Sequence, residues 1–407
     1  MSEPDPATRP ERTWLDLPPD TGFGLDNLPL GIFSTPGTRP RTGVRIGDLV
    51  LDLWESGHEE VHGTGSLNAF LARGPEEWRQ LRVRLRNDLT DEASRGAVEP
   101  FLVPVDDATM HLPFEVADYV DFYSSRAHAE NVGRMFRPDA EPLTPNWLQL
   151  PVGYHGRAGT VAVSGTPVVR PSGQRKGPTD DVPAFGPSRR LDLEAEVGFV
   201  VGTPSALGRP VPLGAFPEHV FGVCLVNDWS ARDLQTWEYQ PLGPFLAKSF
   251  LTSVSPWVVP LAALEAARVP GPVRDPEPLP YLRDDEHPWG LDLSLEVRLN
   301  GEVISRPPFS THYWTAAQQL AHLTVNGASL RTGDLYASGT VSGPDRDQWG
   351  SLLELSWNGA QPLTLADGST RAFLADGDVV AISATAPGVD GGRIWFGEVT
   401  GRVEPAR

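Results

Sequence analysis

The sequence is short of cysteine and of positive charge, and no part of it is apolar for long. Cys224 is the only cysteine among 407 residues, which excludes an intramolecular disulfide framework. It lies in the apolar run "VFGVCLV" and reads as a small core residue in a chain kept reduced. Lys and Arg number 34 against 53 Asp and Glu, a formal charge of -19. So acidic a chain is not expected to bind nucleic acid, because neutralising phosphate needs clustered Lys and Arg. An anionic small substrate fits only if a local pocket of basic groups opposes the overall field. No run approaches the ~20 apolar residues that cross a bilayer. The opening "MSEPDPATRPERTW" has no basic-then-apolar leader pattern, so a cytoplasmic protein without a membrane partner is expected.

Glycine and proline, in contrast, are plentiful at 41 each. They interrupt long helices and favour short strands joined by turns, so the fold class expected is mainly β with minor α. The length exceeds what one small core serves and points to two domains, or to one large domain with an appendage. Residues 1–20 are polar and Pro-rich and read as a loose arm. Residues 21–115 read as a small β unit with one amphipathic helix from Glu76 to Arg95, where Trp78, Leu81, Leu85 and Leu89 recur at helical spacing. Residues 116–407 form the larger unit, with strands expected at 159–169, 191–202, 220–227, 291–299, 351–357, 378–384 and 393–403. Helices are expected over "SSRAHAENVGRMF", capped by Ser124 or Ser125, and over 314–327.

The strand "LDLEAEVGFVVG" (191–202) raises the first chemical question. Alternation sends Leu193, Ala195, Val197 and Phe199 to one face and Glu194 and Glu196 to the other. Their side chains start about 6.6 Å apart, where two charges repel by roughly 2 to 3 kcal/mol at an effective dielectric of ~20. Water, arginine or a metal cation must relieve this. A solvated face is the ordinary explanation, and "LDLSLEVRLNGEV" from residue 291 shows what one looks like, mixing Asp292, Glu296 and Arg298. A metal site therefore requires other carboxylates to converge on Glu194 and Glu196.

"HEEVHGTG" from His58 matches the zinc-protease pattern H-E-x-x-H. That pattern works on a helix, where the histidines share a face. Flanking glycines and a single apolar anchor, Val61, make a surface loop the expectation here.

Three segments are dense in polar groups: "ADYVDFYSSRAHAENVGRMFR", "CLVNDWSARDLQTWEYQPLGPFLAKSF" and "YASGTVSGPDRDQWGSLLELSW". Caps and surface pairs explain many such residues taken singly. Glu354 departs from that pattern, because "SLLELSW" surrounds it with leucines and a carboxylate there needs a partner. His128 is the natural one. Lys248 likewise ends the apolar approach "PLGPFLA".

Together with "PNWLQLPVGYHGR", these segments strongly resemble the fumarylacetoacetase family, from about Asn27 to the C-terminus. The resemblance implies a small N-terminal SH3-like β-barrel, a larger catalytic β-roll or sandwich, and a homodimer. It implies that Asp121, Glu194, Glu196 and Asp228 hold a divalent cation, Ca2+ or Mg2+, with Lys248 and Thr252 beside it. Tyr123, Arg137, Tyr154, Gln235, Tyr239 and Thr340 fall where substrate is contacted. The stretches 173–190 and 300–312 depart from the family pattern.

The implied reaction is hydrolysis of a carbon-carbon bond in fumarylacetoacetate, a small anionic 1,3-diketo acid, at the end of tyrosine and phenylalanine breakdown. His128 is the expected base, oriented by Glu354. Arg232, Gln235 and Lys248 are the expected oxyanion donors. Two alternatives are a hydrolase or decarboxylase of a related acylpyruvate or diketo acid, and a binding protein without activity. The long N-terminal region weighs against the first, and the presence of His128 and Glu354 against the second.

Overall fold

A computed structural model describes residues 12–18, 20–286 and 288–407. Residues 1–11 of the expected N-terminal arm lie outside the described residues. The described part of that arm is docked, not loose: Trp14 donates its indole N–H to Asp88 O at 2.8 Å, and Leu15 and Leu17 pack on the core beneath.

Mainly β with some helix, the chain is organised by a sheet of 13 strands. Its main path runs Leu102–Pro104, Leu49–Asp52, Arg41–Ile46, Leu30–Ser34, Trp257–Pro260, Val220–Asp228, Ala195–Val201, Leu335–Ala337, Tyr119–Phe122 and Gly153–His155. Leu30–Ser34 pairs with Trp257–Pro260, Leu30 opposite Val258. The N-terminal strands thus continue the sheet of the larger unit. This corrects the expectation of a separate SH3-like barrel, since no pairing among the described residues closes these strands on themselves. A second sheet of five strands holds Ser294–Leu299, Val379–Pro387 and Arg393–Glu404 at its centre.

Strands Ala195–Val201 and Val220–Asp228 are buried along their whole length, because each face meets its own core. Val197, Phe199, Val201, Val223 and Leu225 enter a large core with Trp229, Trp314 and Tyr336. Val200, Phe221, Cys224 and Val226 enter a second core shared with Leu81, Leu85 and Leu89. Those leucines belong to the helix Pro75–Thr90, which ends short of the expected Arg95.

The helix Arg126–Phe136 is capped by Ser125, whose side chain accepts from His128 N. The helix Ala316–Thr324 opens with a capping box between Thr315 and Gln318. The strand expected at 351–357 is instead a short helix, Leu352–Leu355. Ser351 caps it, and Asp192 accepts from Leu352 N at 2.8 Å and Leu353 N at 3.1 Å. These two acceptors satisfy the amides that a strand would have paired. "HEEVH" forms a 3-10 turn, Glu60–Gly63, with His62 buried against Phe70 at 5.2 Å between ring centroids. Among the described residues no helix is long and apolar enough to cross a membrane.

Candidate active site and metal centre

The sheet gathers acids from three strands onto one face. Residues of one parity share a face, so Asp121 lies in line with Tyr119, Glu194 and Glu196 with Val200, and Asp228 with Val226. All three of those neighbours belong to the second core. Register brings the acids to one end: Asp121 pairs with Ala337 and Tyr154, and Asp228 N donates to Glu194 O at 3.2 Å. Asp121, Glu194, Glu196 and Asp228 are all buried, and they offer carboxylate oxygens within 4.8 Å of one another.

Two cations face this cluster. Lys248 Nζ donates to Asp228 Oδ2 at 2.7 Å and also to Glu194 Oε2. Arg232 donates to Glu194 Oε1 at 2.7 Å and, through Nε, to Asp192 Oδ2 at 2.9 Å. Burial pushes Glu194 up, yet Arg232 and Lys248 hold it well below the ordinary carboxylate range. The other acids are less provided for. Asp121 Oδ1 and both Glu196 oxygens have no hydrogen-bond partner. Burial, then repulsion by Asp228, drives Asp121 far upward, and burial, then Asp121 and Glu194, does the same to Glu196. Buried carboxylate oxygens without donors, aimed at one another, are what a cation site presents before charge is supplied. The residues present therefore fit a divalent ion.

Lys248 and Thr252 sit beside the acids as donors. An ammonium has no lone pair to give a metal, and Thr252 Oγ1 donates to Asp228 Oδ1 at 2.9 Å. Asp192 is not one of the four clustered acids and ties Arg232 to the helix Leu352–Leu355.

On that helix Glu354 meets His128, with Oε2 at 2.7 Å from Nδ1 and both side chains buried. Burial pushes Glu354 up, but His128 and the hydrogen bonds from His128, Asn131 and Ser351 bring it below its ordinary value. The expected pairing is thus present although the element carrying Glu354 is not the expected one. Sequence reasoning missed Asn131 and Ser351, together with Ser342. Neutral residues leave no charge pattern to notice, and only the spacing of Asn131, one helical turn after His128, hinted at a shared face.

Tyr123 stands between the two groups, its ring edge-on to His128 at 5.3 Å. Its hydroxyl is raised by burial and then by Glu354 and Glu194, while Arg137 and Arg232 pull it down. Tyr154 Oη donates to Asp228 Oδ2 at 3.1 Å, and Gln235 Oε1 accepts from Arg232 at 3.1 Å. Tyr119, Tyr154, Asp228, Lys248 and Phe245 line a pocket of about 100 Å3 reaching the cluster. Thr340 is buried in a turn where Gly339 has φ +79 and a Cβ would lie 2.2 Å from Phe122 O, so the turn presses against the strand carrying Asp121. Arg137 and Tyr239 lie at the surface. Arg137 donates to Pro142 O at 2.6 Å, and no hydrogen bond joins either residue to the acids.

Two family models match, one described as fumarylacetoacetase N-terminal over residues 26–113 and one as fumarylacetoacetate hydrolase C-terminal over residues 118–404. The chain belongs to the fumarylacetoacetase family. It is 49% identical over 416 residues to fumarylacetoacetase of Homo sapiens, covering 97% of this chain and 99% of that one. It is 44% identical over 423 residues to fumarylacetoacetase of Oryza sativa, covering 98% of each. Among solved structures, a fumarylacetoacetate hydrolase from Exiguobacterium antarcticum shares the fold at TM-score 0.56 and 19% identity, covering 93% of this chain and 100% of its own. The structure brings together the same four acids that the resemblance implied.

Proposed function

We propose that the chain hydrolyses the carbon-carbon bond of fumarylacetoacetate to give fumarate and acetoacetate, the last step of tyrosine and phenylalanine breakdown. The observation that carries this reading is the buried His128–Glu354 pair beside four acids, in a chain 49% identical to a fumarylacetoacetase along nearly its full length.

Each residue has a task. Glu354 holds the His128 ring through Nδ1, which leaves Nε2 to take the proton of an attacking water. Lys248 has three protons, of which Glu194 and Asp228 use two, so one remains for an oxyanion. Gln235 spends its oxygen on Arg232, which leaves its amide N–H groups as donors. Losing one such donor typically lowers kcat by 10²- to 10³-fold. Asp121, Glu194, Glu196 and Asp228 would hold Ca2+ or Mg2+, since an all-oxygen donor set suits hard cations. When bound, the ion neutralises the cluster and supplies Lewis-acid stabilisation to the negative charge growing on the diketone oxygens.

Arg137, Tyr123, Tyr154, Tyr239 and Thr340 would bind and orient substrate, with Arg137 pairing a carboxylate. A homodimer in the cytoplasm completes the reading. Its test is the fall in ultraviolet absorbance of fumarylacetoacetate with His128→Ala. Turnover near the parent's, in a folded protein that still binds the cation, would remove His128 as the base.

A further inference from the structure

Glu354 is surrounded by donors, and the proton count around it leaves one arrangement. Its Oε2 lies 2.7 Å from His128 Nδ1, 2.8 Å from Ser351 Oγ and 2.9 Å from Ser342 Oγ, and its Oε1 lies 3.0 Å from Asn131 Nδ2. A serine hydroxyl has one proton to give. Ser351 Oγ already accepts from Glu354 N at 3.3 Å, and Ser342 Oγ from Gly350 N at 3.0 Å. Both hydroxyl protons are therefore directed at Glu354. The loop closes through Ser125, whose Oγ donates to Ser342 O at 3.0 Å and accepts from His128 N at 3.3 Å. The two helices that carry the pair are thus capped by serines, and Ser342 bridges them.

From this we infer that Asn131, Ser342 and Ser351 are positioning residues, holding Glu354 as a carboxylate and His128 in the one tautomer with its lone pair at Nε2. A carboxylate met by neutral donors on both oxygens is favoured over the acid, so the proton of the His128–Glu354 contact stays on Nδ1. This inference rests on the reading of His128 as the base.

The other titratable and charged groups near the pair are few. Tyr123 meets the ring edge-on, His128 helps hold Glu194 down, and His312 feels His128 in turn. Arg346 is engaged with Leu355 O at 2.6 Å, and Asp192 with Arg232 and the amides of Leu352 and Leu353. Arg126, Glu130 and Arg134 pair with one another along the outer side of the His128 helix.

The test compares Ser342→Ala, Asn131→Ala and Ser342→Thr with the parent in the cation-loaded enzyme, recording kcat and KM between about pH 5 and 9. Nitrogen chemical shifts of the labelled His128 ring report the tautomer directly. With a donor removed, Glu354 holds the imidazolium more tightly, so the base is lost at higher pH. We expect kcat at neutral pH to fall by up to about tenfold with KM little changed. The acid limb should move up by on the order of one pH unit, and activity should recover above it. Ser342→Thr keeps the hydroxyl and should restore both quantities.

A uniform loss at every pH, an unmoved acid limb, or a parent His128 protonated on Nε2 would overturn the inference. Should Ser342→Ala fail to fold, Asn131→Ala carries the same comparison. Normal turnover by His128→Ala would instead remove the underlying reading of the base, an outcome distinct from an unmoved limb in variants that keep His128.

Discussion

Replacing Lys248 with methionine probes the cluster with its own charge. In the parent, Lys248 Nζ serves both Glu194 and Asp228, and all three side chains are buried. Methionine keeps most of the stem and removes the ammonium, leaving Asp121, Glu194, Glu196 and Asp228 with Arg232 as the remaining hydrogen-bonded cation. Taking one partner from a buried pair costs about 3 to 5 kcal/mol, because the surviving charge is neither solvated nor matched. At roughly 2.1 cal/mol/K of melting entropy per residue, the 407 residues make that a fall of about 4 to 6 °C in Tm. Scanning calorimetry in chelator should read this fall. In saturating Ca2+ or Mg2+ the gap to the parent should narrow, because a bound cation supplies the missing positive charge. A Lys248→Met protein that melts within about 1 °C of the parent in chelator would refute the reasoning, as would a gap that the cation leaves unchanged.

Glu354→Gln keeps the size of the side chain but cannot stabilise an imidazolium, so kcat should fall by about 10² to 10⁴ with KM little changed, and rapid-mix kinetics would check it. Burial lowers the pKa of His62, and likewise of His312, from 6.5 to about 4. The unfolded chain then binds more protons between these values. Stability contributed by the neutral rings is full above about pH 6.5 and lost toward pH 4, by about 3 kcal/mol each. His62→Phe should flatten its share of this loss in denaturant titrations run at several pH values. Glu196→Gln removes one of the partnerless acids and should lower cation affinity in calorimetric titration at least tenfold, while raising the melting temperature of the chelated protein. Asp192→Asn should loosen the helix Leu352–Leu355 and Arg232 together, lowering kcat and stability in the same variant.

Much of the site could be read from the chain because its chemistry conflicts with its surroundings. Glu194 and Glu196 in an apolar strand, and Glu354 among leucines, break the pattern of a buried segment, and each break marked a carboxylate that needed a partner. The parts that could not be read have physical reasons. The helix Leu352–Leu355 has four residues, too few for a period to show, and its caps, Ser351 and Asp192, act through backbone amides. The N-terminal strands looked separate because Trp257–Pro260, the partner of Leu30–Ser34, lies far along the chain. Asp192 stands two residues before Glu194, but its strand pairs with Ser230 and Ala231 and its carboxylate accepts from Arg232. "HEEVH" runs into a 3-10 turn, Glu60–Gly63, and not the helix on which that metal pattern works. Burial of His62 escaped notice because a single aromatic contact leaves no trace in spacing.

The central claim is that four buried acids hold a divalent ion on which turnover depends. Fumarylacetoacetate hydrolysis should be followed after exhaustive chelation, and again as Ca2+ or Mg2+ is titrated back with binding measured in parallel. The account predicts negligible turnover without the ion and recovery that tracks occupancy of a site lost in Glu196→Gln. Full turnover in the chelated protein, with the ion shown to be absent, would contradict it.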